Sequence, residues 1–346
     1  MDFFALTQPG IGPVLRREAE SLPLRDLSVD ADVGFDGRAD VVAFCGRTGP
    51  ALLGLRTAEA VLVQVGTSGP GAAAKVAATM WEPRRAANAL SVFAGLGGAL
   101  RPRMGFRVAV RVLSETNFRR TDLRRAVAQV VGSTYPRWGL EDPAALELWV
   151  VESSPGRFRL GLRLDKLSRT GPARDLERVG ALRPSVAAAM VLLAGRPKGW
   201  MLDAFCGSGT ILAAGADAEW EIAGCDLDPA ALLAAAGNLG PRPRLLRADA
   251  LKLPLAGGRF SAAVSNLPFG KRFPLPPNPG RWFGGVMEEL CRVTVPGAKI
   301  VLLGPRGRGL EAAVAQSRRV EELERFDVTV LGEPARIFVL GPGLRR

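Results

Sequence analysis

The sequence predicts an α/β protein in which the second half forms a doubly wound parallel sheet and the first half consists of smaller α+β modules. From residue 200 onward, short apolar strands alternate with helical segments. A turn containing Gly207 and Gly209 directly follows the first of these strands. The last two strands are separated by only three residues, Gly332-Glu333-Pro334, so they predict a terminal antiparallel hairpin. A chain of 346 residues, 47% of them apolar, is long enough for two or three domains.

The first 165 residues predict short strands that alternate with helices. The clearest strands are Val41–Phe44, Phe106–Leu113, Glu147–Val151 and Arg157–Leu164. The turn-rich stretch Gly66–Gly71 predicts a junction near residue 65, and the polar, arginine-rich stretch Ser168–Gly180 predicts a linker. We therefore expect α+β domains at 1–65 and 66–165, a linker at 166–182 and the sheet domain at 183–346.

The sheet domain is predicted to open with a helix over Ser185–Leu193. Its predicted strands are Trp200–Asp203, Glu221–Asp226, Arg244–Asp249, Phe260–Ser265 and Lys299–Leu303, followed by the hairpin strands Arg325–Leu331 and Ala335–Leu340. Further helices are predicted over Thr210–Ala216 and Ala230–Asn238. Asp228 before Pro229 indicates a helix start, because the Asp side chain caps free N–H groups and proline fits the first helical position.

The chain is strongly basic, with 46 Lys and Arg against 34 Asp and Glu and a formal net charge of +12. Most of the cations are arginines, whose planar guanidinium groups suit phosphate. This composition favours a polyanionic partner. A GC-rich genome would also enrich arginine, so charge alone does not establish the partner.

Composition also excludes several kinds of chemistry. The sequence contains no histidine, which removes Ser-His-Asp, Cys-His and histidine–metal catalysis together. The spacing of the cysteines fits no zinc motif, and we expect a reducing compartment without disulfides. No apolar run reaches 18 residues and the N-terminus lacks a signal-peptide pattern, so we expect a cytoplasmic protein without membrane segments. We also expect a monomer without a bound metal. The four cysteines are Cys45, Cys206, Cys225 and Cys291.

The segment Asp203–Thr210 predicts a binding loop for a nucleoside cofactor. Asp203 ends a strand and the glycine turn leads into a helix at Thr210, so a carboxylate and backbone N–H groups meet at one edge of the sheet. NAD and S-adenosylmethionine proteins share this layout. Leu212 stands where a dinucleotide site needs a third glycine, and a carboxylate repels a pyrophosphate but attracts an ammonium or sulfonium group. No lysine follows the glycines, which excludes a P-loop, so the sequence predicts S-adenosylmethionine.

Further cofactor contacts are predicted beside this loop. Asp226 closes the next strand, where a carboxylate can accept both ribose hydroxyls. Asp249 ends the third strand and can accept the adenine amino group. Each of these two residues is alternatively a simple turn residue. Phe205 and Cys206 are expected to pack around the loop, and Phe205 is also expected to contact the cofactor. No nucleophilic role is assigned to the Cys206 thiol.

The segment Asn266-Leu267-Pro268-Phe269, here called the amino clamp, follows the fourth predicted strand. The lone pair of an exocyclic amino group is delocalised into its ring, so an enzyme must orient that group. The Asn266 side-chain oxygen and the Leu267 carbonyl can each accept one N–H hydrogen bond, while Phe269 stacks on the ring. The proton released can pass to water, so no strong base is required. Asn-X-Pro also marks ordinary turns, but its position after the cofactor loop favours methyl transfer to nitrogen.

A basic segment in the first half predicts an RNA-binding surface. Leu123, Val127 and Val130 fall on the buried face of a helix, which leaves a set of arginines toward solvent. Such a face suits an RNA backbone, although an ordinary solvated helix has the same pattern. These arginines are Arg119, Arg120, Arg124 and Arg125.

Together these motifs resemble the THUMP-containing tRNA guanosine-N2 methyltransferases, in which a ferredoxin-like module and a THUMP domain precede a class I methyltransferase domain. The resemblance is specific over 201–270 and looser before 165. It implies a ferredoxin-like domain at 1–65, a THUMP domain at 66–165, a grip on the acceptor end of tRNA, and N2-methylguanosine at position 6 as the product. The segment Leu182-Arg183-Pro184-Ser185 resembles the part of the family that lies over the methionine portion of the cofactor, which implies that Arg183 and Ser185 contact it.

Several alternatives stay open at this point. Lys271 and Arg272 begin a proline- and glycine-rich loop that we expect to hold phosphates beside a flipped guanosine, although a stiff surface turn would have the same composition. An rRNA guanine-N2 methyltransferase would use the same machinery. Protein glutamine and DNA amino methyltransferases use similar clamps, but a basic first half fits RNA better. A non-catalytic RNA-binding protein with a degenerate methyltransferase domain is disfavoured by the intact cofactor loop and clamp.

Overall fold

The computed structural model describes residues 1–22, 28–32, 40–46, 49–167, 182–270, 277–307 and 309–343. The chain divides into two compact units, residues 1–171 and residues 172–346. Most of the predicted linker at 166–182 lies outside the described residues, and the predicted domain boundaries stay predictions. None of the helices in the described part of the chain combines the length and the apolar character that crossing a bilayer requires.

The first unit contains an eight-stranded, mostly antiparallel sheet with helices packed against it. Its strands are β1 (Asp2–Thr7), β2 (Ser28–Asp32), β3 (Asp40–Cys45), β4 (Ala60–Ser68), β5 (Gly105–Arg111), β6 (Gly139–Leu140), β7 (Leu146–Ser154) and β8 (Arg157–Arg163). They are ordered β2-β3-β1-β4-β8-β7-β5-β6, with β5 parallel to β6 and β7. The helices are α1 (Gly12–Ser21), α2 (Ala73–Met80), α3 (Pro83–Gly95) and α4 (Arg120–Thr134), with 3-10 turns at Pro50–Gly54 and Asp165–Leu167.

Strand β4 includes Gly66–Ser68, the first part of the stretch that the sequence predicted to be turn-rich. It pairs with β1 on one side and β8 on the other, and it continues through Ser68. Gly66 is needed for close packing rather than for a turn, because a Cβ there would lie 2.3 Å from the Met80 carbonyl oxygen. A glycine that lets a helix approach a strand has the same sequence signature as a turn glycine.

The second unit confirms the predicted doubly wound sheet with a terminal hairpin. Its strands are β9 (Trp200–Asp203), β10 (Glu221–Asp226), β11 (Arg244–Arg247), β12 (Phe260–Asn266), β13 (Thr294–Pro305), β14 (Val320–Val330) and β15 (Glu333–Pro342). They are ordered β11-β10-β9-β12-β13-β15-β14, and β15 lies antiparallel between β13 and β14. The helices are α5 (Pro184–Ala194), α6 (Thr210–Asp217), α7 (Pro229–Leu239), α8 (Pro279–Val293) and α9 (Leu310–Gln316).

The element boundaries differ from prediction mainly where strands end. Strand β11 stops at Arg247, so Asp249 lies beyond it in an isolated bridge with Lys252. Strand β13 and both hairpin strands extend several residues further than their apolar cores suggested. The predicted start of α7 is confirmed, because the Asp228 carboxylate accepts the Ala230 N–H at 2.9 Å.

Candidate active site

Three predicted site residues stand at the carboxyl ends of adjacent parallel strands. Asp203 ends β9, Asp226 ends β10 and Asn266 ends β12, and the strand order is β10-β9-β12. The chain passes from β9 to β10 on one side, while β12 lies on the other, so this edge is a topological switch point. Ligands of open α/β sheets bind at such a point. The fold therefore brings the cofactor loop and the amino clamp to one crevice edge.

The glycine turn has the backbone conformation that its sequence requires. Gly207 and Gly209 have φ values of +53° and +87°, a left-handed region that other residues rarely adopt. The turn is tied to the sheet, since the Cys206 N–H donates to the Cys225 carbonyl oxygen at 2.9 Å. A Cβ at Gly209 would meet Leu239 Cδ1 at 2.7 Å, whereas one at Gly207 would meet nothing within 4 Å. Gly209 is thus packed, while Gly207 faces open space that a ligand can use.

Asp226 has a second role that the sequence did not reveal. Its Oδ2 accepts the Gly207 N–H at 2.9 Å, and its Oδ1 accepts the Asp228 N–H at 2.9 Å. An ionised carboxylate has about four acceptor positions, so both oxygens keep capacity for ribose hydroxyls. The side chain predicted to bind the ribose therefore also shapes the glycine turn.

Asp203 is almost fully buried, with 1% of its surface exposed. Burial raises the pKa of its carboxyl to about 7, and the nearby Asp226 carboxylate raises it further, whereas hydrogen bonds from the Phe205 N–H and the Ser265 hydroxyl lower it. The Phe205 N–H lies 3.1 Å from Oδ1. A buried carboxylate of this kind is stabilised by a cation beside it, which fits the positive charge of S-adenosylmethionine.

The amino clamp contains an unsatisfied acceptor. Asn266 Oδ1 is buried and has no hydrogen-bond partner among the described residues. Leaving such an atom unpaired costs about 1–3 kcal/mol, which an incoming N–H group would recover. The Leu267 N–H donates to the Leu303 carbonyl oxygen at 2.8 Å, which fixes the clamp backbone against β13. Pro268 and Phe269 are half-buried beside it, and stacking by Phe269 stays a prediction.

The three other residues predicted to contact the cofactor, Ser185, Arg183 and Asp249, differ in their burial. Ser185 is the second residue of α5 and only 5% exposed, and its hydroxyl has no partner among the described residues, so it fits a ligand-binding role. Arg183 precedes the same helix and is exposed. Asp249 is exposed, and its Oδ1 accepts the Leu251 N–H at 2.9 Å, so its side chain stabilises a turn. A contact between Asp249 and adenine stays a prediction.

Sequence reasoning missed two exposed apolar side chains near Asp226 and Asp249. Leu227 follows Asp226 and is 60% exposed, while Leu251, close after Asp249, is 41% exposed. Exposed apolar side chains beside acidic strand ends suit the faces of an adenine ring. Phe205 packs against Trp282 of α8, with ring centroids 5.7 Å apart. The fold alone brings these two rings together, because they are separated by more than seventy residues in the chain.

The predicted RNA-binding arginines lie in the first unit and are solvent-exposed. They occupy the start of α4, whose opposite face buries Leu123 and Val127 and half-buries Val130. The preceding loop is anchored by the buried Glu152 carboxylate, which accepts the Ser114 N–H at 2.8 Å. The exposed set is Arg119, Arg120, Arg124 and Arg125. Lys271 and Arg272 lie outside the described residues, so their role stays a prediction.

No three metal-ligating side chains cluster together within the described ranges. The candidate site instead consists of carboxylates, hydroxyls, amide groups and apolar side chains. Its donor set suits an organic cation with a ribose and a purine: Asp203 for the cation, Asp226 for hydroxyls and Ser185 for a polar group.

Part of the amino acid sequence resembles known proteins. Residues 172–333 match the UPF0020 family model, described as an RMKL-like methyltransferase domain. The chain is 34% identical over 140 residues to the U6 snRNA (guanine-N(2))-methyltransferase THUMPD2 of Mus musculus, which is 38% of this chain and 26% of the relative. The human protein of the same name is also 34% identical over 140 residues. The chain thus matches about a quarter of the length of these curated relatives.

Solved structures match over the whole chain. TrmN from Thermus thermophilus superposes with a TM-score of 0.75 at 25% identity, covering 99% of both chains. SMU.472, a putative methyltransferase complexed with SAH, gives a TM-score of 0.65 at 15% identity over 100% of this chain and 98% of that chain. The second likeness shows a shared fold and no more. Family, fold and site geometry are consistent with one another.

Proposed function

We propose that the chain is a THUMP-containing class I methyltransferase that methylates the exocyclic N2 of guanosine in RNA, and specifically position 6 of the tRNA acceptor stem. The RMKL-like methyltransferase model over residues 172–333 and the likeness to TrmN support this proposal. The observation that carries the proposal is the pairing of two features on adjacent strands. Asp203 ends β9 and is followed by the glycine turn. Asn266 ends β12, and its buried Oδ1 has no hydrogen-bond partner in the described part of the chain. The first feature fits the methyl donor and the second fits an amino group.

The methyl donor is S-adenosylmethionine, which supplies an electrophilic methyl group on a positively charged sulfur. Asp203 contributes the negative charge that favours a cation at the end of β9. Asp226 offers acceptors for ribose hydroxyls and holds Gly207 in place at 2.9 Å. Ser185 adds a buried hydroxyl at the start of α5.

The clamp residues orient the acceptor amino group rather than activate it by deprotonation. Asn266 Oδ1 accepts one N–H of the amino group, and the Leu267 carbonyl accepts the other, so the nitrogen lone pair is directed out of that plane. The chain has no histidine, and the site needs no strong base because the methylated nitrogen loses its proton readily to water. Asn266 therefore acts through geometry.

Several observations support RNA, and tRNA in particular, as the substrate. The net charge of +12 and the exposed arginines of α4 suit a nucleic acid backbone. The curated relatives are named as guanine-N2 methyltransferases of U6 snRNA, which supports guanine N2 as the acceptor atom. They match only part of this chain, whereas the TrmN structure corresponds over 99% of it. The whole-chain correspondence favours the tRNA family named above over an snRNA or rRNA substrate.

The proposal is tested with tRNA transcripts that carry guanosine or inosine at position 6. Inosine lacks only the exocyclic amino group, so the two substrates match in shape and charge elsewhere. With methyl-labelled S-adenosylmethionine, the guanosine transcript should be labelled and the inosine transcript should not. Equal labelling of both would disprove position 6, and labelling of rRNA in preference to tRNA would reassign the substrate.

A further inference from the structure

We propose that Ser265 is a positioning residue that holds the methyl-donor site and the amino clamp in register. Ser265 is the residue directly before Asn266 and lies on β12 next to β9. For the acceptor side, this inference rests on the proposed function. For the cofactor side, it rests only on contacts within the second unit.

Ser265 contacts the predicted cofactor loop, Asp203–Thr210, directly. Its side chain is fully buried, with 0% exposure. Its Oγ accepts the Ala204 N–H at 2.9 Å, and its hydroxyl donates to the Asp203 carboxylate. One hydroxyl thus engages both the carboxylate that ends β9 and the first peptide group of the glycine loop.

Ser265 is connected to the amino clamp through the backbone. Asn266 is one peptide bond away, and it pairs with Leu303 in the register of β12 and β13. On that side the Leu267 N–H is held by the Leu303 carbonyl oxygen at 2.8 Å. The clamp is therefore fixed to β13 through its backbone and to the β9 loop through Ser265. Methyl transfer requires near-contact alignment, and a displacement of about 1 Å can lower the rate on the order of 100-fold.

The Ser265 hydroxyl also affects the charge of Asp203. Three groups shift the pKa of Asp203: the Phe205 N–H, the Ser265 hydroxyl and the Asp226 carboxylate. The buried thiols of Cys206 and Cys225 also interact electrostatically with Asp203. The Ser265 hydroxyl lowers the pKa of Asp203, whereas burial and Asp226 raise it. Without the hydroxyl, the pKa of Asp203 would be higher, so more of its carboxyl would be protonated at neutral pH. A cationic ligand would then bind more weakly.

The chain offers a matched control on the same strand. Ser261 lies four residues earlier on β12, and its hydroxyl donates to the Lys198 carbonyl oxygen at 3.0 Å. Ser261→Ala therefore removes one serine hydrogen bond at the opposite end of the strand. Ser265→Cys provides a second comparison, because it keeps the side-chain volume but replaces the hydroxyl with a weak S–H donor.

The experiment measures binding of S-adenosylmethionine, which keeps its sulfonium charge, by calorimetry from pH 6 to 9, and single-turnover methyl transfer at saturating cofactor. Ser265→Ala should weaken binding about 10-fold at pH 7, with affinity recovering at a pH higher than in the wild type. Its single-turnover rate should also fall about 10-fold or more. Ser265→Cys should follow Ser265→Ala, while Ser261→Ala should match the wild type.

Wild-type behaviour of Ser265→Cys, or equal behaviour of Ser265→Ala and Ser261→Ala, would overturn the proposal. The first result would show that only volume matters, and the second that the hydroxyl does not position anything. If Ser265→Ala does not fold, as judged by thermal unfolding, the Cys variant decides. The binding measurement uses no RNA, so an error in the proposed acceptor would leave this part of the test valid.

Discussion

The Gly207 N–H donates a hydrogen bond of 2.9 Å to Asp226 Oδ2, which joins the turn after β9 to the acidic end of β10. The two sequence motifs predicted to bind different parts of the cofactor are therefore one structural unit. Loss of the Asp226 side chain should therefore remove the predicted ribose contact and the hydrogen bond to the glycine turn at the same time. Residues that appear as separate motifs in the sequence act together at this edge of the sheet.

Asp226→Ala should therefore weaken S-adenosylhomocysteine binding strongly, about 100-fold, as measured by calorimetry. The matched control is Asp228→Ala, two residues later, which removes the N-cap of α7. That change should lower the free energy of unfolding by about 1 kcal/mol and leave cofactor affinity nearly unchanged. Comparable losses of affinity in both variants would show that Asp226 has no specific role in the cofactor site.

The two glycines of the turn should respond differently to alanine. Gly209→Ala places a Cβ 2.7 Å from Leu239 Cδ1 in a left-handed backbone conformation, so thermal stability and cofactor affinity should both fall. Gly207→Ala carries a conformational cost of about 1–2 kcal/mol but meets no protein atom within 4 Å. Its main effect should be weaker cofactor binding, because its Cβ enters the space available to the ligand. Undiminished cofactor affinity in Gly207→Ala would place the cofactor elsewhere.

The buried Asp203 predicts a conflict between stability and binding. Its pKa of about 7 in the folded protein lies above its ordinary value of 3.8, so its contribution favours folding at acidic pH and is lost as the pH rises from about 4 to 7. At pH 8, Asp203→Asn should raise the free energy of unfolding, on the order of 3 kcal/mol. The same variant should lose cofactor affinity, which in the wild type should increase from pH 6 to pH 8.

Denaturant unfolding at pH 5 and pH 8, paired with calorimetry, checks both effects. A stabilised variant that binds S-adenosylmethionine as well as the wild type would contradict the assignment of Asp203 to the cofactor cation.

The sequence predicted the second unit in detail because its strands are short, apolar and bounded by turn residues. Asp203, Asp226 and Asn266 could be placed at one sheet edge, since parallel strands in this pattern end on the same side. The contacts among them could not be foreseen, because side-chain direction at a strand end depends on the exact final residue. Asp249 illustrates this, as β11 ends two residues before it.

Other features depend on long-range packing that has no local signal. Gly66 was interpreted as part of a junction, but it lies in β4 where Met80 of α2 approaches closely. The contact between Phe205 and Trp282 likewise depends on how α8 packs over the sheet. Ser265 was treated only as a strand residue, because nothing in its sequence neighbourhood reveals the hydrogen bond to the Ala204 N–H.

Charge reversal on α4 should weaken RNA binding without affecting the cofactor. Arg124 and Arg125 are exposed, so the double change Arg124→Glu and Arg125→Glu should lower RNA affinity and reduce the slope of log affinity against log salt by about 1–2. The control for net charge is the double change Arg16→Glu and Arg325→Glu, because Arg16 already pairs with Glu20 and Arg325 with Glu322. An unchanged salt slope in the double variant would show that this helix face does not contact RNA.

If the amino clamp at the end of β12 presents a guanosine N2 amino group to the methyl donor, the identity of the methylated nucleoside will show it. Purified protein is incubated with unmodified tRNA and methyl-labelled S-adenosylmethionine, and the digested nucleosides are identified by mass spectrometry. We expect label in N2-methylguanosine, with turnover reduced about 100-fold or more in Asn266→Ala at unchanged RNA affinity. Label in any other nucleoside, or wild-type turnover in Asn266→Ala, would rule out this role of the amino clamp.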